Sequence, residues 1–330
     1  MSDLLLPRAL LHDWAAMRGS MGLRHLPLRL LEQPLEVEEF WEDLHIADGP
    51  LADLGAALMV LERGPAGEVA RFAFPSRVTT PYPQNNVVVG RMYTPNAPAA
   101  GVPFLLLLHV NGREELSFED GHARRLMARG WRVGVMALPY HMGRRPPHLD
   151  AGAAVMTPDL PHTLSALGQA VSDAADVLRW ARVQGAGRVG VAGWSLGGLA
   201  AALVATQLPL EAALLVEPAV SLPWMMSRYG LFPASVRRQL RAAGLSQAAL
   251  ERALAPVLPI NLRPQVQHSG LRILAARYDL LVGYAPTHAL WDAWGRPALT
   301  VQPTGHVALL FQPALARALD GLASGWEREG

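Results

Sequence analysis

The chain is 330 residues long, 51% of them apolar, and carries 29 basic against 28 acidic residues for a formal net charge of +1. That length suits one large α/β domain with insertions or two smaller ones, and the even charge gives no support to a polyanion-binding role, so no nucleic-acid partner is expected. Every basic residue is arginine and cysteine is absent, which excludes Schiff-base and P-loop lysines, thiolate nucleophiles, zinc–cysteine sites and disulfides.

Residues 1–70 read as a helical amino-terminal extension, with apolar residues at helical spacing from Leu4 to Met17 and again from Leu35 to Leu44. Its stripes offer a face to the main domain or to a second copy of the chain, so a homodimer is one expectation. A membrane surface is disfavoured by Glu36, Glu38, Glu39, Glu42 and Asp43. No basic segment followed by a long apolar run opens the chain, and no apolar run approaches the ~20 residues of a spanning helix. The expectation is a cytoplasmic protein without a membrane partner.

From Arg71 the pattern turns to strands. Residues 71–79 and 86–93 flank a Pro-rich turn and read as an antiparallel pair at a sheet edge. Phe104 to Val110 is a near-continuous apolar run of the kind buried on both faces. There follow a helix over 122–129, a strand over 132–138, a proline-rich loop over 139–161, a helix over 164–183, and a strand ending in Gly193-Trp194-Ser195-Leu196-Gly197-Gly198. Further strands are expected over 211–220, 271–277 and 298–302, with helices over 287–294 and 313–326. Between 221 and 270 lies an insertion with two helical pieces, read as a cap. Strands alternating with helices imply a largely parallel sheet in an α/β domain spanning 71–330.

A strand running into a glycine-bounded serine and leaving as an alanine-rich helix is the pattern of a nucleophile elbow. A serine hydroxyl needs a base to take its proton and an acid to orient that base. Reactive groups of a parallel sheet gather where strand ends meet their loops. Asp279 follows the strand at 271–277 and His306 follows the strand at 298–302, so both fall on the edge that carries Ser195. Glu217, at the end of the strand over 211–220, is the rival acid. Two backbone donors would hold a developing oxyanion: Leu196, after the nucleophile, and Asn111, in the loop after residue 110, with Val110 as second choice. His109 reads as a structural histidine rather than the base. Trp194, Trp224, Met225 and Met226, with Tyr229 and Phe232, line an acyl pocket or form the cap's own core. Arg144 and Arg145 read as a solvated pair on a loop.

Taken together, Leu105-Leu106-Leu107-Leu108-His109-Val110-Asn111-Gly112, Gly193-Trp194-Ser195-Leu196-Gly197-Gly198, Tyr278-Asp279 and Gly305-His306 resemble the α/β-hydrolase superfamily over roughly residues 71–326. The loop Pro139-Tyr140-His141-Met142-Gly143-Arg144-Arg145-Pro146 resembles one in poorly characterised α/β-hydrolase domain-containing members. The resemblance implies a Ser195/Asp279/His306 triad, an acyl-enzyme, no cofactor and often a helical cap; it implies no substrate. His109-Val110 stands where the family usually has His-Gly. The reaction expected is hydrolysis of a carboxylic ester or thioester. An acyltransferase or a peptidase or amidase with the same triad, and a non-catalytic binding protein, are the alternatives.

Overall fold

The computed structural model describes residues 13, 28–31, 33, 35–49, 54, 58–96, 101–227 and 234–328. Strands β1 (Met59–Gly64), β2 (Gly67–Pro75), β3 (Val87–Pro95), β4 (Phe104–Leu108), β5 (Arg132–Met136), β6 (Val189–Trp194), β7 (Ala212–Val216), β8 (Leu271–Ala276) and β9 (Ala298–Gln302) form one sheet in the order β1-β2-β3-β5-β4-β6-β7-β8-β9. The pairs among β1, β2, β3 and β5 are antiparallel; those from β5 through β4 to β9 are parallel. This is an α/β-hydrolase architecture, as the sequence led us to expect.

Among the described residues the named α-helices are α1 (Val37–Glu42), α2 (Ser117–Met127), α3 (Leu160–Val183), α4 (Leu196–Gln207), α5 (Leu222–Ser227), α6 (Ala234–Ala242), α7 (Gln247–Ala253), α8 (Tyr284–Ala293), α9 (His306–Leu309) and α10 (Pro313–Arg328). Successive side chains of a strand point to opposite faces, and the buried run of β4 divides accordingly. Phe104, Leu106 and Leu108 join Val189, Val191 and the side chains of α3 and α4 in the larger core. Leu105 and Leu107 join Ala192, Leu214, Val216 and the apolar stripes of α2 and α10 in the other. Helix α4, apolar on every side, is buried almost throughout, as an all-round apolar helix must be. The insertion between β7 and β8 carries α5, α6 and α7.

One departure lies in the stretch read as a helical extension. Strand β1 and the start of β2 fall inside it, joined by a turn at Pro65-Ala66 with Gly64 paired to Gly67. The apolar residues of β1 stand in a row, Met59-Val60-Leu61, outside both helical stripes, and pairing along β2 sets them in a strand. The second expected stripe is present in α1 and the turn after it: Trp41 is buried, and Val37, Phe40 and, beyond the helix, Leu44 pack against the larger core. Trp41 Nε1 donates to Pro256 O at 2.9 Å, tying α1 to the insertion. The expected helix over Leu4 to Met17 lies outside the described residues, Asp13 excepted. Among the described residues no helix is long and apolar enough to cross a membrane.

Candidate active site

Ser195 stands between β6 and α4 with φ 54° and ψ −111°, a backbone region that costs a non-glycine residue about 1–3 kcal/mol. The fold holds it there with two backbone bonds, one to β7 and one to the loop after it: Ser195 N donates to Val216 O at 2.9 Å, and Ala219 N donates to Ser195 O at 3.0 Å. The flanking glycines are obligatory for space. A Cβ on Gly193 would lie 2.0 Å from Gly197 O, and one on Gly197 would lie 2.1 Å from Leu108 O. The turn can therefore be tight only with hydrogen at both positions.

His306 begins α9, and its Nε2 lies 3.0 Å from Ser195 Oγ. On the other side of the ring, Nδ1 lies 2.7 Å from Asp279 Oδ2. A carboxylate only accepts, so Nδ1 carries the proton and Nε2 is left to accept from the serine hydroxyl. Asp279 follows β8, and its second oxygen accepts from the amides of Leu281, Val282 and Gly283 at 2.8, 2.9 and 3.3 Å. Burial acts to raise its pKa, but the charge and hydrogen bond of His306, with the Val282 and Gly283 amides, hold it below the ordinary carboxylate value. For His306, burial opposes the charged ring; Asp279 outweighs it, and the imidazole pKa is raised.

Glu217 is placed differently. It follows β7 with φ 44°, and its carboxyl lies 3.8 Å from His306 Nδ1, beyond hydrogen-bond range. Both of its oxygens are buried without a hydrogen-bond partner. Burial, then the carboxylates of Asp279 and Asp13, push its pKa well above the usual range, which favours a neutral acid. The geometry thus pairs His306 with Asp279 rather than with Glu217. Glu217, Asp279 and His306 offer donor atoms within 4.8 Å of one another, two of which already face each other across the 2.7 Å bond.

The loop after β4 is brought against the elbow by the bond from Gly197 N to His109 O at 3.1 Å. Leu196, as the first residue of α4, presents one of the amides that helix geometry leaves unpaired. Asn111 lies in the same loop as His109, half-buried, with its side-chain amide 3.2 Å from His141 Nε2. His109 is fully buried away from the serine: its Nδ1 bonds Val110 O and its Nε2 accepts from Leu138 N at 2.9 Å. His141 repeats this pattern, with Nδ1 on Pro139 O and Nε2 accepting from Gly112 N at 3.0 Å. Burial lowers both ring pKa values, that of His141 to about 4. Two neutral histidines therefore tie the loop 109–112 to the loop 137–141.

Several pocket expectations need correction. Trp194 is fully buried on the α2 side of the sheet, its ring against Phe118 and His122, because side chains alternate along β6 and Ser195 opens the opposite way after the turn. Met225 and Met226 are buried in the larger core. Trp224 alone of the four lines a cavity, of about 600 Å³, with Val220, Ser221, Ile260, Ala285 and Pro286; neither Ser195 nor His306 is part of its lining. Tyr229 and Phe232 lie outside the described residues. Arg144 is not solvated. Its guanidinium is fully buried and donates to Asp173 Oδ2 at 2.7 Å, Ala137 O at 3.1 Å and Asn85 O at 2.9 Å. Sequence reasoning also missed Asp13, whose one legible signal is an acid set in the apolar stripe at the spacing of Leu10 and Met17.

A family model described as alpha/beta hydrolase domain containing 18 matches residues 109–227. An uncharacterized protein of Mycobacterium tuberculosis, found in strains CDC 1551 and H37Rv, is 31% identical over 211 residues, covering 62% of this chain and 49% of the relative. The chain thus spans about half the length of the curated relatives it matches. Among solved structures, the acetyl xylan esterase from Paenibacillus sp. R4 superposes with a TM-score of 0.66 at 15% identity, over 90% of this chain and 99% of that one. Acetyl xylan esterase 1 from Thermoanaerobacterium sp. JW/SL YS485 gives 0.64 at 14%, over 87% and 94%. The family match runs through the elbow, and the superposition on these two esterases gives the chain the α/β-hydrolase fold.

Proposed function

We propose that the chain is a serine hydrolase that cleaves a carboxylic ester or thioester through an acyl-enzyme. The observation that carries the reading is the unbroken chain Ser195 Oγ, His306 Nε2, His306 Nδ1, Asp279 Oδ2, with links of 3.0 and 2.7 Å. In the reaction, Nε2 takes the hydroxyl proton as Oγ bonds the acyl carbon. The Leu196 and Asn111 amides hold the oxygen that gains charge. The leaving alkoxide or thiolate receives the proton back from Nε2. Water then attacks the acyl-serine by the same proton route, releasing the acid and restoring Ser195. Asp279 stabilises the imidazolium in each half-reaction and is never protonated. Ester cleavage is also what the names of the two acetyl xylan esterases carry.

The test is turnover of p-nitrophenyl and thioester substrates of graded acyl length. Ser195→Ala is expected to lower kcat by on the order of 10⁴–10⁶, and undiminished turnover in that variant would sink the reading.

A further inference from the structure

Asp13 is fully buried, and its carboxylate is spent on three backbone amides. Oδ2 accepts from Leu280 N at 3.1 Å and from His306 N at 3.0 Å; Oδ1 accepts from Val307 N at 3.0 Å. Leu280 is the neighbour of Asp279, and His306 and Val307 are the first two residues of α9. One side chain therefore joins the loop that carries the acid to the loop that carries the base, across 293 positions of sequence from His306. A buried carboxylate is costly unless its oxygens are satisfied, and here the satisfying donors are those two loops.

We propose that Asp13 is a positioning residue of the hydrolytic site: the amino-terminal segment supplies a carboxylate that fixes His306 relative to Asp279 and lends negative charge to the imidazolium formed in the reaction. The inference rests on the Ser195–His306–Asp279 reading. Among the described residues, the polar side chains that meet the His306 ring or its backbone are Ser195 from the elbow, Asp279 after β8, Glu217 after β7 and Asp13 from the amino-terminal segment. Glu217 favours its neutral form, so Asp279 and Asp13 are the anions that favour a charged ring. This gives the amino-terminal segment a part in the chemistry beyond packing. Without Asp13, the amides of Leu280, His306 and Val307 lose a shared acceptor, and both loops lose the tether that sets the distance between acid and base.

The test uses the full-length chain with Asp13→Asn, checked as folded by circular dichroism. Loss of the charge moves the His306 pKa down, read without substrate by an NMR titration of the imidazole, and moves the acidic limb of the kcat/KM profile the same way. Misplacement of the ring lowers kcat by on the order of tenfold to a hundredfold with KM changed less than twofold. A folded Asp13→Asn protein with the wild-type histidine titration and the wild-type kcat overturns the proposal, as does one that loses only thermal stability. If Asp13→Asn does not fold, Asp13→Glu decides. It keeps the charge but sets it one methylene out of register with the amides, so kcat falls while the acidic limb stays; an unaltered kcat overturns the proposal. A wild-type chain that hydrolyses nothing, or a Ser195→Ala variant that still does, counts against the hydrolase reading instead, and the imidazole titration still judges Asp13.

Discussion

At the level of single residues, the reactivity assigned to Ser195 depends on the charge state of one ring. His306 acts as a base only when neutral. Burial works against its charged form, but the Asp279 carboxylate at 2.7 Å more than compensates, so the ring titrates above the ordinary histidine value of 6.5. Below that pKa the ring is protonated and cannot accept from Ser195, so kcat/KM for an ester falls as pH falls. The acidic limb of the profile is expected to have its midpoint above 6.5. A midpoint well below that value would mean that Asp279 does not support the ring as an anion. Glu217 offers no substitute, since a 3.8 Å separation and a raised pKa leave it neither bonded to the ring nor charged beside it.

At the level of elements, the site is made by strand ends and the short connections behind them. Ser195 follows β6, Asp279 follows β8 and His306 follows β9, so a parallel sheet delivers all three to one edge. The connections are held from behind by buried polar groups. Arg144 bonds Asn85 O, Ala137 O and Asp173, while His109 and His141 lock the loop that contains Asn111. Removing one member of a fully buried ion pair strands the other charge, at a cost of about 3–5 kcal/mol. Arg144→Ala is therefore expected to lower stability in urea unfolding by that order; a loss below about 1 kcal/mol would show that Asp173 finds another partner or gives up its charge. These elements also mark what a sequence can and cannot tell. The elbow, Asp279 and His306 were legible because each follows a strand pattern at fixed distance. The burial of Arg144 was not, because its partners lie on segments 29 and 59 positions away. Strand β1 was hidden for a related reason: Met59-Val60-Leu61 shows neither the alternation of a strand nor the spacing of a helix, and pairing with β2 is what defines it.

Across the whole molecule, two cores on opposite faces of the nine-stranded sheet fix the strand ends from which the site is built. Packing of this kind also explains the misread pocket residues. Trp194 ends the strand that enters the elbow, while Met225 and Met226 lie on α5 of the insertion, and apolar residues of either kind are consumed by the core before they reach a ligand. The Ser195–His306 contact spans 111 positions and the Asp13–His306 contact spans 293. The first was legible because both partners sit in recognisable places; the second was not, because nothing in the sequence around Asp13 names the amides it meets.

The most direct measurement on the central claim is reaction of the purified protein with a fluorophosphonate, with the adduct located by peptide mass and His306→Ala as the control. Our account predicts one adduct, on Ser195, formed far more slowly in the control. A folded wild-type protein with no adduct, or an adduct on Ser195 formed equally fast without His306, would contradict it.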